Sequence, residues 1–192
     1  MKKEQPRVIA FVGPAGCGKS TASRILRDKH GYTTFKFARP LKRMLITLFE
    51  EAGIPDDVIH EMIEGSLKEQ PCEALGGKSP RYAMQSLGTD WGRNLFCYDI
   101  WVNIAEMKAR TILDSGGKVA IEDLRFDNES QMVMRLGGKV IKILPPESHI
   151  QIDSSGHVSE TNELAYNIEI KNHGTKIDLE NEVDRCIQTF CR

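Results

Sequence analysis

The stretch Val8-Ile9-Ala10-Phe11-Val12-Gly13-Pro14-Ala15-Gly16-Cys17-Gly18-Lys19-Ser20 decides how the rest of the chain is read. Its first five residues are an unbroken apolar run, the pattern of a parallel strand buried on both faces. The next eight fit G-x-x-x-x-G-K-[ST]. Ser20 to His30 has helical length, with Ile25 and Leu26 on its apolar side, and Gly31 is the expected residue just past the helix end. Strand, glycine loop and helix N-terminus are the parts of a phosphate-binding loop. The glycines let backbone N–H groups turn inward, Lys19 adds a charge toward the β- and γ-phosphates, and the Ser20 hydroxyl is placed for Mg²⁺. Gly13, Pro14, Ala15, Gly16, Cys17, Gly18, Lys19, Ser20 and the adjoining Thr21 form the candidate nucleotide-binding segment. The expected ligand is a nucleoside polyphosphate, and the competing reading is a glycine turn that binds nothing.

The 192-residue chain has 40 % hydrophobic and 28 % charged residues, ordinary for a soluble globular domain that needs no disulfide or metal to stabilise its core. A formal net charge of −1 gives no reason to expect a nucleic-acid polymer or a membrane surface as partner. Met1 to Pro6 is too short and polar for a signal peptide, and no apolar run approaches membrane-spanning length. A cytoplasmic location is expected. The five cysteines, Cys17, Cys72, Cys97, Cys186 and Cys191, form no C-x-x-C pair or zinc-type spacing and are expected as reduced thiols. Cys17 lies in the loop, where alkylation is expected to block nucleotide binding.

Apolar periodicity and turn residues predict strands at 7–12, 32–37, 118–122, 139–144 and 167–171. Helices are predicted at 19–30, 39–52, 99–114, 127–136, 158–165 and 176–190, with helical segments around 56–68 and 79–96. This alternation predicts an α/β fold of three layers, αβα, around a mostly parallel five-stranded sheet, with ligands beyond the carboxyl ends of its strands. The whole chain, 1–192, reads as one domain with a helical insertion about 39–115. Gly65 to Lys78 is expected as a mobile surface loop, and about 145–157, with Pro145-Pro146 and Ser154-Ser155-Gly156, as a lid. Thr175 is the expected N-cap of the last helix.

Lys118-Val119-Ala120-Ile121-Glu122-Asp123 is an apolar strand ending in two acids, the form of an element that supports Mg²⁺ beside a phosphate loop. Side chains alternate along a strand, so only one carboxylate points each way; Asp123 is the expected metal residue and Glu122 the alternate. Arg39 follows the second strand, Arg81 and Gln85 share a helix face, Arg93 stands in a glycine-containing block, and Arg125 follows Asp123. As a set they read as a second anion site, since Arg holds phosphate bidentately. His157 and Glu160 fit helix capping better than catalysis. Trp91 and Trp101 are candidates for stacking on a base, against the commoner fate of core packing.

Behind the loop, Phe37-Ala38-Arg39-Pro40-Leu41-Lys42, Gln85-Ser86-Leu87-Gly88-Thr89-Asp90-Trp91-Gly92-Arg93, Asp99-Ile100-Trp101-Val102 and Asp123-Leu124-Arg125-Phe126-Asp127-Asn128-Glu129 follow in order. His157-Val158-Ser159-Glu160 and Asn172-His173-Gly174-Thr175 close the series. Over nearly its whole length the chain resembles the bacteriophage-type deoxynucleoside monophosphate kinases. The resemblance implies the nucleoside-monophosphate-kinase form of the P-loop NTPase fold and transfer of the ATP γ-phosphoryl to a deoxynucleoside monophosphate. It implies ATP and Mg²⁺ at Gly13 to Ser20 with Asp123, and adenine near Asn172 and Gly174. Arg39, Lys42, Arg81, Gln85, Thr89, Asp90, Trp91 and Arg93 are placed around the acceptor. Many relatives carry an acid where this chain has Arg39. The segment 145–156 has no arginine, so Arg125 or Arg135 is expected to serve the transferring phosphoryl, with Lys19 and Asp123 as the other catalytic residues.

The leading expectation is an Mg²⁺–ATP-dependent deoxynucleoside monophosphate kinase in the cytoplasm, a host's if phage-encoded, with a homodimer compatible with the sequence. The rivals are a small-metabolite kinase of the same fold, dephospho-CoA-kinase-like, and a nucleotide-binding switch without an acceptor. Which bases are accepted and whether ribose is tolerated stay open.

Overall fold

The computed structural model describes residues 5–146 and 164–191. Five strands form one sheet in the order β2-β3-β1-β4-β5, with every pairing parallel. They are β1 (Val8–Val12), β2 (Tyr32–Phe35), β3 (Lys118–Ile121), β4 (Lys139–Leu144) and β5 (Ile168–Lys171). Helices α1 (Lys19–His30), α2 (Arg39–Glu51), α3 (Asp56–Ile63), α4 (Pro80–Ser86), α5 (Ile100–Asp114), α6 (Asp127–Arg135) and α7 (Lys176–Phe190) connect or follow them.

Contacts divide the chain into two units, Met1–Phe37 with Ile104–Arg192, and Ala38–Asn103. The first holds the sheet. In β1, Val8 to Phe11 are all buried, as expected of a central strand covered on both faces. Alternation sends Ile9 and Phe11 to one face, where Ala120, Ile141 and Ile143 join Ile25 and Leu26 of α1 and Leu179, Val183 and Ile187 of α7. On the other face α6 packs on β1 and β4, with Val8 and Val133 both flanking Gly138. The Glu106 carboxylate of α5 accepts from Arg135 of α6 at 2.9 Å and from Arg110, and these two guanidinium groups hold its carboxyl below the usual range. The sheet therefore has helices on both faces, as the α/β alternation predicts.

The second unit has its own core of Leu45, Phe49, Ile59, Met62 and Ile63. The surface loop expected over Gly65 to Lys78 is organised into turns. It forms two short 3₁₀ turns, Ser66–Glu69 and Glu73–Leu75, and Leu67, Cys72 and Leu75 pack on that core. The segment 79–96 is helical, as expected: after α4 it widens into a π-helix, Leu87–Phe96. Gly92 leaves room for a neighbouring ring. A Cβ there would lie 2.7 Å from the Trp101 ring, and the Trp101 indole N–H donates to the Gly88 carbonyl at 2.8 Å. Trp101 is thus a core residue, whereas Trp91 stacks on Phe96 at 5.3 Å.

The second strand ends two residues before its expected limit. β2 is an edge strand whose pairing stops at Phe35 opposite Ile121, and the Phe37 N–H turns to the Asp123 carboxylate instead. Thr175 caps α7, its Oγ1 accepting from the Asp178 N–H at 3.1 Å. The expected helix 158–165 and the lid about 145–157, with His157 and Glu160, fall almost wholly outside the described residues; the two residues of the former that are described, 164 and 165, are not helical.

Gly31 closes α1 with a left-handed backbone (φ 69°) and its N–H on the Leu26 carbonyl. A Cβ there meets nothing within 4 Å, so Gly31→Ala carries only the backbone penalty. Urea unfolding is expected to show a loss of about 1 kcal/mol; an unchanged midpoint would contradict this.

Candidate functional site

The loop after β1 is shaped by glycines at positive φ, Gly13 (146°), Gly16 (75°) and Gly18 (109°). Gly13 has a second reason to lack a side chain, since a Cβ would run into the Ile143 carbonyl of the neighbouring β4. Gly18 stands at the start of α1, where no side chain caps the helix and no acid occupies the first turn. The positive end of the helix dipole is therefore left for an external anion. The Lys19 ammonium folds over the loop, donating to the Gly13 and Pro14 carbonyls at 2.6 Å each. Pro14, Ala15, Gly16 and Ser20 are exposed and Thr21 is half-buried. Loop, ammonium and exposed hydroxyl fit a polyphosphate with a divalent cation.

Two further strand ends, those of β3 and β5, lie at the same edge of the sheet within this unit. After β3, Asp123 Oδ1 accepts from the Phe37 N–H at 2.7 Å, whereas Glu122 is ion-paired to Lys36 at 3.1 Å. The two acids point to different partners, as strand alternation requires. After β5, the Asn172 amide donates to the Cys17 carbonyl at 3.0 Å and accepts from the Gly174 N–H at 2.9 Å. Asn172 thus braces the phosphate loop, its side chain committed on both sides. Beyond Asp123, the buried Glu129 accepts from the N–H groups of Arg125 (2.8 Å) and Phe126 (3.2 Å), satisfying donors at the start of α6 and fixing the backbone that carries Arg125. The sequence reading missed Glu129 as a positioning residue; an acid in the first turn of a helix was the available signal. Arg135 is drawn to Glu106 on the helical layer.

In the second unit, Arg39 is exposed at the first position of α2. Lys42, one turn on, pairs with Glu64 at 2.7 Å. Arg81 and Gln85 share one side of α4, and Arg81 is hydrogen-bonded to Glu69. Thr89, Asp90 and Trp91 lie on the π-helix, Asp90 exposed and the other two half-buried. Arg93 is buried, and its guanidinium donates to the Tyr98 carbonyl at 3.4 Å.

Cys17 corrects the expectation of a reagent-sensitive loop. It is fully buried, and burial pushes its thiol up against the pull of the Lys19 ammonium.

No protein-family model matches the chain. Over 194 aligned residues it is 29 % identical to a protein of Acanthamoeba polyphaga mimivirus named "Putative deoxynucleotide monophosphate kinase", covering 94 % of this chain and 95 % of that one. Among solved structures it is similar to dephospho-CoA kinase from Campylobacter jejuni, at a TM-score of 0.50 and 15 % identity over 96 % of this chain and 97 % of the other. The fold is that of the P-loop kinases.

Thiol accessibility follows directly. Cys97 is exposed, whereas Cys17 is sealed in and burial raises the Cys186 thiol to about 11. At pH 8 an aromatic disulfide reagent is expected to label Cys97 first, and Cys17 and Cys186 only after denaturant is added. Mass mapping of the labelled peptides checks this, and early modification of Cys17 would contradict the burial.

Proposed function

We propose that this chain is a deoxynucleoside monophosphate kinase, transferring the γ-phosphoryl of ATP to a deoxynucleoside monophosphate. The observation that carries the proposal is the glycine loop with Lys19 folded over it at an uncapped helix N-terminus, braced by Asn172. Its likeness along nearly the full length to a viral protein bearing that name supports the choice of acceptor.

In this reading Gly13 to Thr21 hold the ATP polyphosphate, with backbone N–H groups and Lys19 meeting its charge. Ser20 and Asp123 would hold Mg²⁺, a cation that binds through few protein oxygens together with phosphates. When bound, the metal neutralises charge on the transferring group. Adenine lies near Gly174 and the Asn172 backbone. In the second unit Arg39, Lys42, Arg81, Gln85, Thr89, Asp90 and Trp91 serve the acceptor, and Arg93 holds the π-helix that presents three of them.

The acceptor phosphate oxygen is already an anionic nucleophile. It forms a bond to the γ-phosphorus as the bridging bond to ADP breaks, and no general base is required. Positioning and charge neutralisation by Lys19 and Arg125 supply the rate.

Release of ADP is measured with ATP, Mg²⁺ and, in turn, dAMP, dCMP, dGMP, dTMP and dephospho-CoA. Stimulation by at least one deoxynucleoside monophosphate is expected. Stimulation by dephospho-CoA alone would replace the acceptor, and slow release indifferent to every acceptor would make the chain a switch. Lys19→Ala is expected to lower kcat by about 10²–10³-fold with the fold intact by circular dichroism; near-normal turnover would refute the assignment.

A further inference from the structure

Asn172 lies one residue past β5, and its backbone is fixed there, the N–H donating to the Leu144 carbonyl of β4 at 3.0 Å. Its half-buried side chain spans two loops. Nδ2 donates to the Cys17 carbonyl at 3.0 Å, and Oδ1 accepts from the Gly174 N–H at 2.9 Å. The amide is packed so closely on Gly18 that a Cβ there would lie 2.8 Å from Nδ2.

The carbonyl that Asn172 holds belongs to the peptide joining Cys17 to Gly18. That peptide is trans, so its C=O and N–H point in opposite directions. With the oxygen turned to Asn172, the Gly18 N–H is turned away from it. Among the described residues this N–H has no acceptor, and it lies just before the first residue of α1, where the helix leaves donors over. Gly18 has the left-handed backbone the loop requires (φ 109°), but a glycine accepts φ of either sign. The loop's own sequence therefore does not fix this peptide plane, and the bond from Asn172 does. A donor held in this way meets an arriving anion without reorganisation.

The two bonds also explain why the residue is an asparagine. Cys17 offers an acceptor and Gly174 a donor, so the group that bridges them must donate and accept at once, as a carboxamide does. A carboxylate would face the Cys17 carbonyl with an oxygen and place a negative charge beside a polyphosphate.

We propose that Asn172 is a positioning residue for the donor phosphates: it sets the Cys17–Gly18 peptide so that the Gly18 N–H faces the polyphosphate, before any base is in place. Its side chain is then committed and does not serve the base, although it stands in the turn assigned to adenine. The inference rests on the reading of Gly13 to Thr21 as the ATP polyphosphate site. Its consequence is that a polyphosphate with no base still depends on a side chain from the base-side turn.

The test is calorimetric titration of the full chain, with Mg²⁺ present, against tripolyphosphate and against ATP. The wild type is expected to bind both. Asn172→Ala is expected to weaken both about tenfold, the worth of one hydrogen bond to a charged group, and to leave the ratio of the two affinities within about twofold. Asn172→Ser is expected to do the same: its hydroxyl can still accept from the Gly174 N–H, but it is one bond too short for the Cys17 carbonyl. Loss of ATP affinity with tripolyphosphate binding unchanged would return Asn172 to the base site and overturn the proposal. Wild-type tripolyphosphate affinity in Asn172→Ser would overturn it too, as would a lower melting temperature with both affinities unmoved. A wild type that binds ATP but not tripolyphosphate would show that the loop is not set without the base, which also contradicts it. If the wild type binds neither, the phosphate-site reading itself falls.

Discussion

The position of β1 between β3 and β4 in an all-parallel sheet is the constraint on which the first unit depends. Parallel pairing sends every strand's carboxyl end to the same edge, so the segments leaving β1, β3 and β5 emerge together. Gly13 leaves β1 hard against the Ile143 carbonyl of β4, which leaves no room for a side chain. Asp123 leaves β3 and takes the Phe37 N–H that ends β2. Asn172 leaves β5 and ties down the Cys17 carbonyl. A phosphate loop needs backbone N–H groups preorganised in an unusual conformation, and the β4 carbonyl beside Gly13 and the Asn172 bond to Cys17 hold it there.

The second unit solves a different problem. It has no sheet, and its core is assembled from the apolar faces of α2 and α3, where Leu45 and Phe49 are one turn apart. Gly92 lets the Trp101 ring lie directly on the π-helix backbone. Such a widened turn is uncommon outside functional regions, and here it carries Thr89, Asp90 and Trp91.

Much of this was legible in the sequence because the signals were local. The apolar run 8–12, the glycine pattern, Gly31 and the Thr175 cap each depend on a few adjacent residues, and β1, α1 and α7 follow from them. What escaped depends on partners far along the chain. The early end of β2 is set by Asp123, 86 residues beyond Phe37. The close approach of Trp101 to Gly92 on the π-helix is one that helical periodicity does not encode. Burial of Cys17 comes from a core it shares with β1, β4, α1 and α7, and the bond from the Asn172 amide to its carbonyl spans 155 residues.

The central claim is that the loop at Gly13–Ser20 delivers the terminal phosphoryl of ATP to an acceptor monophosphate. Incubation with ATP labelled at the γ-phosphorus, followed by chromatographic separation of products, tests it most directly. The account predicts label in the β-position of a deoxynucleoside diphosphate, in proportion to ADP formed. Label recovered only as inorganic phosphate would contradict it.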